Sequence, residues 1–402
     1  MPSPNEPPLP LQGVKVLDLA NLYAGPLIAA TLADFGAEVV KVEHPRGDDA
    51  RRWGLTRDEV PLWWKVIARN KRLIALDLNL ESDREIVRRL VAWCDIVIEG
   101  FRPGRMEEWG LGYDDLARIN PRVILLRVSG FGQFGPYFDR PGFGTLAEAF
   151  SGFAHITGLP GGAPTLPPFG LADGVAALAG TYAAVIALYW RDTAAGGRGQ
   201  SIDLSLYEPL FSILGPQLVE YTQCGVVQQR QGNRSSRTSP RNAYVTSDSR
   251  WVALSAGTQQ IANRIFAAID RPDLATDEKY ASPQARAANA DEIDAIVASW
   301  MRLHTLDEIL QRFEAHSAPI APVLDIEQIR ENPHYQARES FIEVDDQDLG
   351  TIWMQNVVPK LSRTPGRIRH AGKLRPDADR SYILHEILEP DSAHDDEDSV
   401  NR

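Results

Sequence analysis

Cysteine is nearly absent from this 402-residue chain, which carries only Cys94 and Cys224. Two cysteines make no disulfide framework, and no CxxC or HExxH spacing offers a metal site, so no metal is expected. No run approaches the roughly 18 consecutive apolar residues of a membrane helix, and no membrane span is expected. The opening MPSPNEPPLP has neither a positively charged stretch nor an apolar one, so a signal peptide is not expected there. A reduced, cytoplasmic setting follows as the expectation. Basic charge is also in deficit: 42 Lys and Arg stand against 54 Asp and Glu, a net charge of −12. That balance argues against a nucleic-acid partner. It leaves room for an anionic small molecule, because local basic clusters hold phosphates inside acidic proteins. Arg69-Asn70-Lys71-Arg72 is one such cluster and Arg102 with Arg105 another, each also readable as solvated surface.

What is present is ordinary for a globular protein: 44% hydrophobic and 24% charged residues, enough for two or three domains with sizeable cores. Residues 1–10 read as a Pro-rich disordered leader and 389–402 as a disordered acidic tail. Between them, strand patterns at Val14–Leu19, Glu38–Val42, Leu73–Leu78, Ile96–Ile98 and Val123–Val128 alternate with helical ones. That alternation predicts an α/β fold with a doubly wound parallel sheet. Asp173–Arg191 reads as a helix apolar nearly all round, and therefore buried. From about Gly225 a polar, Arg-rich loop opens a smaller α/β domain. The expected division is a large domain over 11–224, a small one over 225–325, and a return to the large domain over 326–388.

Gly130-Phe131-Gly132-Gln133-Phe134-Gly135 matches GxGxxG and follows a strand. A dinucleotide site needs that motif to open a helix, and here Pro136 and Pro141 predict a loop instead. Asp173 is the sharper candidate. It follows Pro167, Pro168 and Gly170 at the start of the buried helix, where an Asp is in general a preferred N-cap. The helix field there favours the charged carboxylate, predicting an anion at pH 7. An ionised carboxylate is a nucleophile that needs no general base.

Read with gaps, the chain resembles the class III CoA-transferases, the group of the formyl-CoA and carnitine CoA-transferases, from about Leu11 to about Leu388. The residues that carry this are Ala24-Gly25-Pro26, the run Leu32–Val39 (LADFGAEV), Lys41-Val42-Glu43 and Asn70-Lys71-Arg72. They continue through Ala75–Leu78, Gly100–Gly104 (GFRPG), Asn120-Pro121-Arg122, Ser151-Gly152, Ala172-Asp173 and Gly196–Gln200 (GGRGQ). Their order along the chain is more specific than any one of them. The resemblance implies an interlocked homodimer, no permanently bound cofactor, coenzyme A as a substrate moiety, and Asp173 as the residue that carries the acyl group or CoA. It places Tyr23, Ala24, Leu76, Asn79, Gly100, Phe101, Arg102 and Arg140 along CoA. Two positions depart from the family pattern: His44 and Glu108 stand where Arg is usual, with Arg46 and Arg105 as nearby substitutes.

The implied activity moves CoA from an acyl-CoA to a carboxylic acid acceptor, through an aspartyl anhydride and an aspartyl-CoA thioester. Backbone N–H groups at the start of the Asp173 helix are expected to face the oxyanion. Formyl-CoA transferases have a Gly-rich loop over the active site at a place resembling Gly232–Arg241. Here that loop holds Arg234, Arg237 and Arg241, which predicts capture of a second carboxylate and hence a dicarboxylic acid. One alternative is an α-methylacyl-CoA racemase. It needs a second proton-transfer group, however, and Gly142-Phe143-Gly144 offers only Phe143, with His155 elsewhere. The other alternative is a CoA-binding protein without catalysis.

Overall fold

A computed structural model of the chain describes residues 8–194 and 196–389. The leader and tail expected over 1–10 and 389–402 fall mostly outside the described residues. The chain folds as two compact units. The first takes the described residues of Met1–Phe153, Leu166–Val219 and Ala337–Arg402; the second takes Ala154–Thr165 and Glu220–Gln336. The second unit thus includes a short stretch, 154–165, that the sequence reading leaves in the large domain, and it extends past 325.

The first unit is built on strands β1 (Lys15–Asp18), β2 (Glu38–Glu43), β3 (Lys71–Ala75), β4 (Ile96–Glu99), β5 (Ile124–Ser129) and β6 (Ser201–Ser205). They pair in the order β3-β2-β1-β4-β5-β6, every pair parallel. Alternate strand residues face opposite sides, so Val16 and Leu17 enter two different cores. Val16, Ile96 and Ile98 pack under helices α1 (Ala24–Asp34) and α4 (Leu171–Thr193). Leu17, Val40 and Val97 pack against α2 (Glu81–Trp93), whose Val87, Leu90 and Val91 supply the apolar stripe. Helices cover both faces, which is the doubly wound arrangement. Helix α3 (Gly144–Phe150) lies in the β5–β6 crossover and was not legible as a helix.

Helix α4 corrects one expectation. Over its 23 residues it is long and apolar enough to cross a membrane by length and composition alone. Its Ala172, Ala176, Ala177, Gly180, Ala184 and Ala187 are buried, the small residues letting α1 approach closely; a Cβ on Gly180 would lie 2.3 Å from Ile28. The opposite face is bare: Leu178 is 66% exposed, Ile186 60% and Tyr189 70%. The helix is apolar all round, yet one chain buries only half of it.

A buried ion network shapes the turn after β1. Lys71 Nζ donates to Asp18 Oδ2 at 2.9 Å and to the Pro26 carbonyl at 2.6 Å, and Lys41 Nζ donates to the Ala20 carbonyl. Asp48 accepts from the Leu22 N–H at 3.1 Å, holding Leu22 at φ +69°. These charges are fully buried but each is paired, so the network holds the loop 20–23 in one conformation. Lys71 of the first basic cluster is therefore internal, and Arg69 forks onto Asp34; neither is a solvated surface charge. The GxGxxG segment is a loop, as its prolines predict: Gly132 and Gly135 have positive φ, and the next helix starts only at Gly144.

The second unit carries a three-stranded antiparallel sheet of β7 (Arg241–Val245), β8 (Trp251–Ser255) and β9 (Ala321–Pro322). Helices α5 (Gln259–Ala268), α6 (Ala290–Met301) and α7 (Leu306–Ala315) cover it through Ile265, Phe266, Ile293, Val297, Ile309 and Phe313.

Candidate active site

In the order β3-β2-β1-β4-β5-β6 the chain leaves β1 toward one edge and β4 toward the other. The two loops part at the carboxyl ends of these neighbours and leave a crevice there, the usual ligand position in a doubly wound sheet. A cavity of about 320 Å³ lies at that point. Asn21, Tyr23 and Ala24 line it from the β1 side, and Gly100, Phe101 and Arg102 from the β4 side. Arg140, Phe143 and Asp173 line it too. An adjoining hollow of about 130 Å³ shares Asn21 and Phe101 with it and continues past Glu43, His44, Leu76 and Asn79 to Trp109. Nine candidate CoA positions singled out from the sequence, His44 among them, thus line one run of cleft with Asp173.

The far end of that cleft is polar, lined by Glu43, His44, Asp77 and Asn79. Arg46 donates its backbone N–H to His44 Nδ1 at 3.1 Å, and His44 Nε2 stands 4.0 Å from Asp77. Arg105 donates to Asn79 Oδ1 at 3.0 Å, pairs with Glu108 at 2.6 Å and lies over the Trp109 ring. Arg46 thus stands beside His44, and Arg105 beside Asn79 and Glu108. Between the ends, Glu99 accepts from the Phe101 N–H at 2.7 Å while Arg127 grips the same carboxylate at 2.8 Å. Those bonds hold the 100–102 backbone against the cavity. Arg102 is exposed, 3.9 Å from Asp139, and Arg140 stacks over Tyr137.

Asp173 is the third residue of α4, whose N-cap is Gly170, and its side chain caps nothing. The space around it is tight. A Cβ on Gly144 would sit 1.8 Å from Asp173 Oδ2, and one on Gly170 would meet the Tyr23 ring at 2.8 Å. Glycine at both positions is what admits the carboxylate and the phenol. Tyr23 in turn packs edge-on to Trp63, with ring centroids 5.0 Å apart.

The electrostatics change the reasoning behind one expectation without overturning it. Burial, and then the charge of Glu148, push the Asp173 carboxyl up to about 6, although its own backbone hydrogen bond acts the other way. Burial and the Asp173 charge likewise raise the Tyr23 phenol. The helix field is outweighed, but a group near 6 is still mostly ionised at pH 7.

Glu148 is the residue that sequence reasoning missed. It is buried, 1% exposed, on α3. Its Oε1 accepts from the Leu171 N–H at 2.9 Å and the Ala172 N–H at 3.3 Å. The donors expected to face an oxyanion are therefore already taken by a carboxylate, and Glu148 performs the capping that Asp173 does not. Nothing local announced this, since a Glu 23 positions before the helix resembles any other Glu.

The three loop arginines lie in the second unit. Arg234 pairs with Asp291 and, at 2.6 Å, with Asp294, which also accepts from Tyr244 and Asn242. Arg237 pairs with Glu220 at 2.8 Å. Arg241 donates to the carbonyls of Asn233 and Arg234 and, of the three, is the one without a carboxylate partner among the described residues.

The chain is similar to known proteins along most of its length. The chain is 41% identical over 372 residues to a succinyl-CoA–D-citramalate CoA-transferase of Chloroflexus aurantiacus, covering 92% of each. It is 41% identical over 386 residues to the β subunit of a succinyl-CoA–L-malate CoA-transferase of the same organism, covering 94% of each. Among solved structures, a CAIB/BAIF family protein from Brucella suis matches with a TM-score of 0.82 at 30% identity, over 94% of this chain and 99% of that one. The family model of CoA-transferase family III matches residues 11–375. Matched over nearly its whole length in sequence and in fold, this chain is an enzyme that belongs to CoA-transferase family III.

Proposed function

We propose that this enzyme moves CoA from succinyl-CoA to a dicarboxylic, preferentially hydroxydicarboxylic, acid, with Asp173 as covalent nucleophile. The observation that carries the reading is a half-buried carboxylate lining the cavity at the switch point of the sheet. Asp173 attacks the thioester carbonyl; the C–S bond breaks and CoA leaves as thiolate, an acceptable leaving group since thiols ionise near about 8.5. The thiolate then attacks the aspartyl carbonyl of the anhydride, releasing succinate and forming an aspartyl-CoA thioester. The acceptor carboxylate attacks that thioester, and the same steps run in reverse.

Tyr23, Gly100, Phe101, Arg102 and Arg140 support binding of the pantetheine arm, and His44, Arg46, Asn79 and Arg105 that of the phosphates. The dicarboxylate preference is supported by the names of the two relatives. Phe143, in place of a proton-transfer group, favours transfer over racemisation, and among the described residues no histidine lines the hollow that holds Asp173. The bare face of α4 supports a homodimer, and the scarcity of cysteine a cytoplasmic setting.

The test is a matrix of acyl-CoA donors and carboxylic acids read by mass spectrometry, with Asp173→Ala alongside. Wild type should form malyl- or citramalyl-type thioesters from succinyl-CoA. The variant should still bind succinyl-CoA but lose transfer by roughly a thousandfold or more. Turnover retained in Asp173→Ala would remove the covalent mechanism.

A further inference from the structure

We propose that Glu148 is a positioning residue of the transfer reaction, which sets the basicity and direction of the Asp173 carboxylate from behind the helix N-terminus. The inference rests on Asp173 being the nucleophile. Glu148 is almost fully buried, and one of its oxygens takes both the Leu171 and Ala172 N–H groups. Those two residues immediately precede Asp173, so the angle at which α4 presents its third side chain is set through this carboxylate.

A neutral acceptor would serve for capping alone. A charged one buried behind an active-site carboxylate does something more. Like charges in a poorly solvated space disfavour joint ionisation, and Glu148 is the charge that acts on Asp173 after burial itself. Part of the positive end of the helix is spent on Glu148, leaving less of it to stabilise the Asp173 anion. The consequence is a more basic and more nucleophilic carboxylate that remains ionised in neutral solution.

The other ionisable groups near Asp173 come from separate elements. Tyr23, from the loop before α1, abuts it as a neutral phenol. Arg102 and Arg140 line the same cavity from the β4 and β5 loops. From the Tyr207–Ser212 helix, which also packs on α4, Glu208 turns to Ser205 instead, at 2.6 Å. Arg127 of β5 is held by Glu99 and Glu107.

The experiment compares kcat/KM for succinyl-CoA against pH in wild type, Glu148→Gln and Glu148→Asp. Substrate titrations are common to all three and cancel. Gln keeps an oxygen for the two N–H groups but drops the charge, so the acid limb should move down by roughly half a pH unit or more. The rate on the alkaline plateau should also fall, and the two curves converge in acid. Glu148→Asp keeps the charge on a shorter arm, so its midpoint should stay within experimental error of wild type while its plateau falls. An unmoved midpoint in Glu148→Gln overturns the proposal. If Glu148→Gln fails to fold, a midpoint displaced downward in Glu148→Asp overturns it instead. Hydroxylamine trapping with succinyl-CoA separates the two claims. Label on Asp173 in every variant keeps the nucleophile assignment whatever the pH curves show. No label in wild type removes the nucleophile assignment and this proposal with it.

Discussion

At Asp173 the field of a helix N-terminus and the loss of solvent oppose one another, and solvent loss prevails. The carboxyl moves up from 3.8 to about 6, which fixes the sign of two effects. Activity that needs the anion should fall as pH drops through about 6, read as an acid limb in kcat/KM for succinyl-CoA. Stability runs the other way. The folded state holds its proton more tightly than the unfolded one, so this group's contribution is complete below 3.8 and lost as pH rises through about 6. Asp173→Asn should therefore melt higher than wild type at pH 8, by roughly 2–5 °C, and equally at pH 4. A lower melting temperature at pH 8 would show that the carboxylate is structurally required. Among the loop arginines, Arg241→Ala should reduce kcat/KM for a diacid relative to a monoacid by about 2 kcal/mol or more, roughly 30-fold. Arg234→Ala should instead lower the melting temperature, because it leaves the buried Asp294 short of a partner. Equal diacid-to-monoacid ratios in wild type and Arg241→Ala would reduce that loop to solvated surface.

Helices α3 and α4 meet at Asp173, and the meeting works only because α3 begins with glycine. Gly144 lies against Asp173 Oδ2 at a distance no methyl group tolerates. Gly144→Ala should therefore displace the carboxylate and cost at least about 100-fold in kcat, with little change in helical content. Circular dichroism and single-turnover rates measure both, and an active Gly144→Ala would mean the carboxylate has room to turn away. The sequence identifies α4 by its unbroken Ala- and Gly-rich run but says nothing of α3. Gly-Thr-Leu-Ala-Glu-Ala-Phe spans barely two turns, too short for a period to emerge. The network of Asp18, Lys41, Lys71 and Asp48 was hidden for another reason. Its members lie on β1, β2, β3 and the segment after β2, and only strand pairing gathers them.

On the scale of the whole molecule, the bare face of α4 is an unmet demand. Leu178, Tyr182, Ile186, Tyr189 and Trp190 would together leave a broad apolar surface in water. A homodimer that covers it through interlocked chains should not dissociate on dilution without unfolding. Sedimentation at nanomolar and micromolar protein should give one dimeric species, and a concentration-dependent monomer would exclude interlocking. Residue order by itself determined the alternation of strand and helix and the helix that carries Asp173, because each is written in local periodicity; the positions from Tyr23 to Arg140 were named through the family resemblance, and the fold gathers them along one cleft. The tertiary structure decided what depends on residues far apart. It gave the N–H groups of α4 to Glu148 and made Asp173 a weaker acid than its helix position implied. It also fitted Gly144 against the Asp173 carboxylate and turned Lys71 from a surface charge into a buried prop. Burial and through-space charge act on distance in space, and no spacing along the chain records that.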